Sequence, residues 1–216
     1  MSNSNSSQDK TPAKATGLGR GYGTAITGFI GVGAVAALYV MGLSACKPGP
    51  QTGGAASIAS LAHGAMAKLA APAAPATYPD ASFVDGAGKS VKLADFKGQV
   101  VVLNLWATWC APCVKEMPTL AALQTAFAGQ GVKVVALSAD SASATDKAKA
   151  FIAAHAPLDF YQDAKFAVSS AITPHIEGFP TTLIYDRAGH LKGVLQGDAD
   201  WSSPEGQAVV ASLAKG

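Results

Sequence analysis

Charge is scarce in this sequence. Asp, Glu, Lys and Arg make up 14% of the 216 residues, against about 25% in ordinary soluble domains. That excludes a disordered chain of high charge and indicates that part of the chain does not face water. Cysteine is scarcer still: three residues cannot form the disulfide scaffold of a small secreted domain. The formal net charge is only +2, too small and too diffuse for a nucleic-acid binder. No repeat of 20–50 residues is visible, which argues against a solenoid or propeller. What is abundant is apolar side chain, at 49%.

The apolar excess and the positive charge are both concentrated at the N-terminus. Lys10, Lys14 and Arg20 oppose only Asp9 in the first 20 residues, and the remainder is neutral overall. From Gly21 to Cys46 no side chain is charged, and the 22 residues from Thr24 to Ala45 are predominantly apolar. As a helix they span ~33 Å, enough for a hydrocarbon core of ~30 Å. The basic flank places the N-terminus in the cytoplasm and everything after Cys46 on the far side. A cleaved signal has a shorter apolar region, so a retained single-pass anchor is the favoured reading. Leu43-Ser-Ala-Cys46 also resembles a lipobox, after which Cys46 would carry lipid and become the new N-terminus. Cleavage near Ala45 is the third reading, and all three export the rest of the chain.

The organisation that follows is a cytoplasmic tail (1–20), a transmembrane anchor or lipoprotein signal (21–46), a linker (47–79) and a folded domain (80–216). Prolines and glycines open and close the linker. Between them Ile58, Leu61, Ala65 and Leu69 recur at helical spacing and predict a short helix. His63 there reads as a solvent-facing side chain. In the domain, Ser82–Asp85 and Val91–Leu93 flank an Asp-Gly-Ala-Gly turn and predict a hairpin. Val100–Trp106 and Lys133–Ser138 read as buried strands, with a helix between them marked by Val114, Met117, Leu120, Leu123 and Phe127. A helix over 145–155, a hairpin of Thr181–Tyr185 with Leu191–Gln196, and a closing helix over 204–214 complete the pattern. Strand–helix–strand followed by hairpin and helix implies an α/β domain, a mixed sheet with helices on both faces.

The chemistry sits where the first buried strand ends, at Trp106-Ala-Thr-Trp-Cys110-Ala-Pro-Cys113. Two cysteines three residues apart at a strand-to-helix junction can close a small disulfide loop. The first should be exposed beside the free N–H groups of the helix start, which stabilise a thiolate, so Cys110 is the candidate nucleophile. Cys113, one turn in, is the candidate resolving thiol. Pro112 fits the first turn, where its missing N–H costs nothing. A structural zinc site would need a second pair of ligands that the sequence lacks, so no metal is expected. A purely structural bridge between Trp109 and a helix start remains an alternative. A peroxidatic cysteine would follow a proline by seven residues and a Thr or Ser by three, and neither Cys110 nor Cys113 does.

The string Leu-Asn-Leu-Trp-Ala-Thr-Trp-Cys-Ala-Pro-Cys-Val-Lys-Glu-Met-Pro resembles the thioredoxin superfamily and, within it, the membrane-anchored TlpA/ResA/CcmG group, nearest its TlpA branch. The resemblance spans about residues 55–216 and takes in Leu61-Ala-His-Gly64. It implies a thioredoxin-like fold and a redox-active Cys110–Cys113 pair that works without a cofactor. Asn104 stands where cytosolic thioredoxins carry a buried Asp, and Asn cannot titrate. The group places a Glu at the position of Glu116, beside the disulfide, to assist proton transfer; by position alone Glu116 could equally be a solvated surface residue. Pro118 should kink its helix. Gly178-Phe179-Pro180-Thr matches the loop whose cis-proline packs against the cysteines, and the Phe179 backbone could pair with an extended client. Trp106 and Trp109 would supply apolar walls, Trp201 would be core or rim packing, and His175 would be a surface loop residue. Some relatives tether their N-terminal extension with a second disulfide; Cys46 has no cysteine partner in the domain, and His190 stands at the plausible other end.

The function implied is a periplasmic thiol–disulfide oxidoreductase anchored in the bacterial inner membrane. It would reduce client proteins during cytochrome oxidase or cytochrome c biogenesis, fed by a membrane electron donor. Reduction of apocytochrome c before haem attachment and a non-enzymatic copper-binding or adaptor role are the alternatives.

Overall fold

The computed structural model describes residues 58–215. The tail, the apolar segment 21–46 and Cys46 lie outside them. Among the described residues no helix is long and apolar enough to cross a membrane.

Among the described residues eight strands form one sheet, in the order β1-β8-β7-β4-β5-β6-β2-β3. In chain order these are β1 (Leu69–Ala70), β2 (Ser82–Asp85), β3 (Ser90–Lys92), β4 (Val100–Trp106), β5 (Val132–Ser138), β6 (Tyr161–Gln162), β7 (Thr181–Tyr185) and β8 (Leu191–Gln196). The helices are α1 (Ala111–Ala126), α2 (Thr145–Ala153), α3 (Ala167–Ala171) and α4 (Pro204–Ala214). β4 runs parallel to β5 and antiparallel to β7, so the sheet is mixed. The turn of the β7–β8 hairpin uses Gly189 at φ +89°, a conformation that costs glycine little.

β4 is central and buried along its whole length, which is why it reads as an unbroken apolar run. Its side chains alternate between two cores. Val100, Val102 and Trp106 face one core, shared with residues of α1, α2 and α4. Val101, Leu103 and Leu105 face the other, with Phe83, Tyr161, Val168 and Ile172. By the same alternation Asn104 falls on the α1 side, the one polar position in that row. On α1, Cys113, Glu116, Met117, Leu120, Ala121 and Leu123 are buried, the stripe a helix turns toward a core. Glu116 is thus a carboxylate on an apolar stripe. The helix continues through Pro118.

Two expectations are corrected. Residues 58–69 do not form a continuous helix: 3-10 turns at Ile58–Leu61 and Gly64–Met66 precede β1, which pairs with β8. Gly64 at φ +54° breaks the helical path, with the Glu205 side chain packed against it. The second strand of the first hairpin is Ser90–Lys92, because Leu93 opens a 3-10 turn to Phe96.

Candidate active site

The short loop from β4 to α1 holds the cysteine pair. Asp140, buried just beyond β5, anchors that loop: it accepts hydrogen bonds from the Thr108 backbone N–H (2.9 Å), the Thr108 hydroxyl (2.8 Å) and the Ser138 hydroxyl (2.9 Å). Cys110 is the N-cap of α1, and its Sγ accepts from the Cys113 backbone N–H at 3.3 Å. The two cysteines are joined as a disulfide. Cys110 is less open than its position implied, 6% exposed, because it closes back onto the core beside Trp106 and Cys113. Cys113 is fully buried, so Cys110 is the more reachable sulfur. Pro112 is the exposed second residue of the helix.

The sheet register brings a second loop to the same end. Leu105 pairs with Thr181, so Phe179 and Pro180 lie alongside Trp106 and the loop that follows it. The Phe179–Pro180 bond is cis. Trp109 is 65% exposed and meets the half-buried Phe179 ring edge-on at 5.7 Å. These two rings form an apolar rim beside Cys110. Trp106 does not join them. It is fully buried and packs on Phe151 at 5.1 Å, since the alternation of β4 turns it into the α1-side core. Its assignment as a client-binding wall is therefore corrected: it supports the site from beneath. His175 lies exposed in the preceding loop.

Behind the disulfide the surroundings become polar and closed. Glu116 follows Cys113 by one turn and is 2% exposed, so it is no surface carboxylate. Its Oε1 accepts from the Trp201 indole N–H at 2.6 Å and its Oε2 from the Asn104 amide at 3.3 Å. The Ala199 backbone N–H is a third donor. The Asn104 amide also donates to the Thr182 hydroxyl at 2.9 Å, across directly paired positions of β4 and β7. Burial pushes the Glu116 pKa up from 4.5 to about 7, although all three donors favour the charged form. A carboxylate balanced near neutrality beside a thiol can hold or release a proton at working pH. Sequence reasoning missed Trp201, Thr182 and Ala199 as partners of this carboxylate. The only signal for them was the polar Asn104 inside an apolar strand, which demands a polar neighbour.

A cysteine disulfide capping the helix that follows the central strand of a mixed sheet, with a cis-proline loop beside it, defines a thioredoxin-fold thiol–disulfide oxidoreductase. The chain belongs to the AhpC/TSA family, whose model matches residues 74–194. Among curated relatives, the thiol-disulfide oxidoreductase ResA of Bacillus thuringiensis subsp. konkukian is 33% identical over 124 residues, covering 56% of this chain and 68% of that protein. ResA of Bacillus subtilis (strain 168) is 32% identical over 120 residues, covering 55% and 65%. A Chlorobium tepidum structure described as a thiol:disulfide interchange protein DsbE superposes with a TM-score of 0.54 at 29% identity, covering 63% of this chain and 95% of that one. These names fall within the TlpA/ResA/CcmG group that the cysteine motif resembles. The protein is a thiol–disulfide oxidoreductase of the ResA/DsbE type, and its redox group is a cysteine pair.

Proposed function

We propose that the protein is a membrane-tethered reductase of client disulfides in the bacterial periplasm, with Cys110 as nucleophile and Cys113 as resolving thiol. The observation that carries this reading is the cysteine pair at the start of α1, open to an apolar rim on one side and backed by a buried carboxylate on the other. The Cys113 N–H that points at Cys110 Sγ, with the positive end of the α1 dipole, stabilises the Cys110 thiolate in the reduced form.

The thiolate of Cys110 attacks one sulfur of the client disulfide. A Cys110–client bond forms, and the client's other sulfur leaves as thiolate and takes a proton. Cys113 loses its proton to Glu116 and attacks Cys110 Sγ. The Cys110–Cys113 bond forms and the second client sulfur departs as a thiolate, taking the proton that Glu116 holds. Two electrons have passed to the client, and a membrane electron donor must return them, because the compartment is oxidising. Trp109 and Phe179 offer apolar contact to the client, and the backbone at Phe179–Pro180 pairs with its extended segment. The basic residues ahead of the apolar segment 21–46 support the inner-membrane topology.

The clients that fit are respiratory proteins whose copper- or haem-binding cysteines must be reduced before metal or haem insertion, during cytochrome oxidase or cytochrome c biogenesis. The test is capture in cells with Cys113→Ser, which halts the reaction at the mixed disulfide. Copper-site proteins held through Cys110 support the oxidase branch, and apocytochrome c held there supports the haem branch. Absence of adducts overturns the exchange mechanism. Stoichiometric copper binding by the reduced protein without client reduction would replace the reductase with a metal carrier.

A further inference from the structure

The segment 197–201, between β8 and α4, closes over the helix that carries the cysteines. Thr119 fastens it. The Thr119 hydroxyl donates to the Glu116 carbonyl at 2.8 Å and contacts the Ala199 carbonyl at 3.5 Å, and it accepts from the Trp201 backbone N–H at 3.2 Å. This brings the Trp201 ring down into the core, where it is fully buried, with its N–H on Glu116 Oε1 at 2.6 Å. Packing alone does not account for the geometry. A buried indole needs one acceptor, but here the acceptor is the single carboxylate one turn from Cys113. Trp106, the other fully buried tryptophan, finds no partner for its N–H.

We propose that Trp201 is a positioning residue of the redox reaction: its indole N–H, delivered by the 197–201 segment, fixes the Glu116 carboxylate and keeps it able to accept the Cys113 proton. The inference rests on Glu116 as the proton acceptor and adds the group that holds it in that role. The groups facing Glu116 are few. β4 contributes the neutral Asn104 and, through it, β7 contributes Thr182. The 197–201 segment contributes the Ala199 N–H, the Trp201 N–H and the charge of Asp198, which opposes ionisation and is itself paired with Lys68 at 3.5 Å. α1 contributes Cys113. The Trp201 hydrogen bond, at 2.6 Å, is shorter than that of Asn104, at 3.3 Å, and Trp201 is the group that most favours the ionised carboxyl, so its loss should move the carboxyl most.

The test replaces Trp201 in the full chain with 3-benzothienylalanine, which has sulfur in place of the N–H at nearly the same size, and in parallel with Phe. Glu116→Gln serves as the reference. Two quantities are read: the Glu116 carboxyl titration by carbon NMR in the oxidised protein, and the pH profile of the resolving step on a preformed Cys110 mixed disulfide. Loss of one hydrogen bond to a charged group should raise the Glu116 titration by about one pH unit. The resolving rate at pH 7 should then fall about fivefold, as the carboxylate fraction drops, and recover by pH 9. The benzothienyl variant keeps the packing, so its result stands even where the Phe variant folds poorly. A Glu116 titration unmoved in that variant, or a rate lost equally at every pH, overturns the positioning role. If Glu116→Gln retains the wild-type pH profile, Glu116 is not the acceptor, and that failure is separate because the NMR titration still reports whether Trp201 governs the carboxyl.

Discussion

The two sides of the Cys110–Cys113 bond are built from opposite materials. On the outer side are Trp109, 65% exposed, the edge of Phe179 and the exposed Pro112. On the inner side are Cys113, Glu116, Asn104, Thr182 and Trp201, all buried, the last four joined by directed hydrogen bonds. Trp109 and Pro112 on the outer side are exposed, so either can be lost without unfolding the domain. The inner side cannot, because each polar atom removed leaves another buried without its partner. In the proposed mechanism recognition and proton handling fall on opposite sides of a single bond, so substitutions on each side should differ in kind.

The largest effect belongs to the bond itself. Cys110→Ala should abolish client reduction, while Cys113→Ser should leave the first attack intact and accumulate mixed disulfides, as read by non-reducing electrophoresis. If Cys113→Ser turned over like the wild type, the division into attacking and resolving sulfurs would be broken.

Next comes the inner side. The folded-state pKa of Glu116 is about 7, above the ordinary 4.5, so between those values the native state binds more protons than the unfolded chain. Its stability is intact below pH 4.5 and declines as pH rises through 7, by about 3 kcal/mol in all. Glu116→Gln has no charge to bury, and denaturant melts across pH 4 to 8 should show the decline flattened. An unchanged slope would mean that Glu116 is not the buried titrating group. Asp140→Ala should cost about 2 kcal/mol, because the Thr108 N–H, the Thr108 hydroxyl and the Ser138 hydroxyl lose their acceptor. It should also broaden the amide resonances of the 107–110 loop.

The smallest effect on stability belongs to the outer side. Trp109→Ala should change the melt by no more than about 0.5 kcal/mol, while raising the KM for a protein client roughly tenfold, as expected for an exposed aromatic anchor. Reduction of a small aromatic disulfide such as dithiobis(nitrobenzoate) should be nearly unaffected. Equal losses on both substrates would erase the contrast between the two sides.

How far each side was legible in the sequence follows from the same contrast. The cysteine motif is local, and its position after an unbroken apolar strand marked both the helix start and the disulfide pair. β4, β5, the β7–β8 hairpin and α4 carry strong patterns and stand where their residues placed them. β6, with two residues, and α3, with five, are too short to show periodicity and take their form from tertiary pairing. Trp106 and Trp109 look alike in sequence, two aromatic residues flanking a turn. Only the alternation of β4, continued to its last residue, sends Trp106 inward. Trp201 lies 85 residues from Glu116, and nothing local relates the two; its role depends on the fold of a loop.

The most direct measurement is the alkylation rate of each sulfur in the reduced full chain across a pH series, resolved by peptide mass. The account predicts that Cys110 reacts with a midpoint well below the ~8.5 of free cysteine, while buried Cys113 reacts with a higher one. A Cys110 midpoint at or above the free value, or a Cys113 midpoint below that of Cys110, would contradict it.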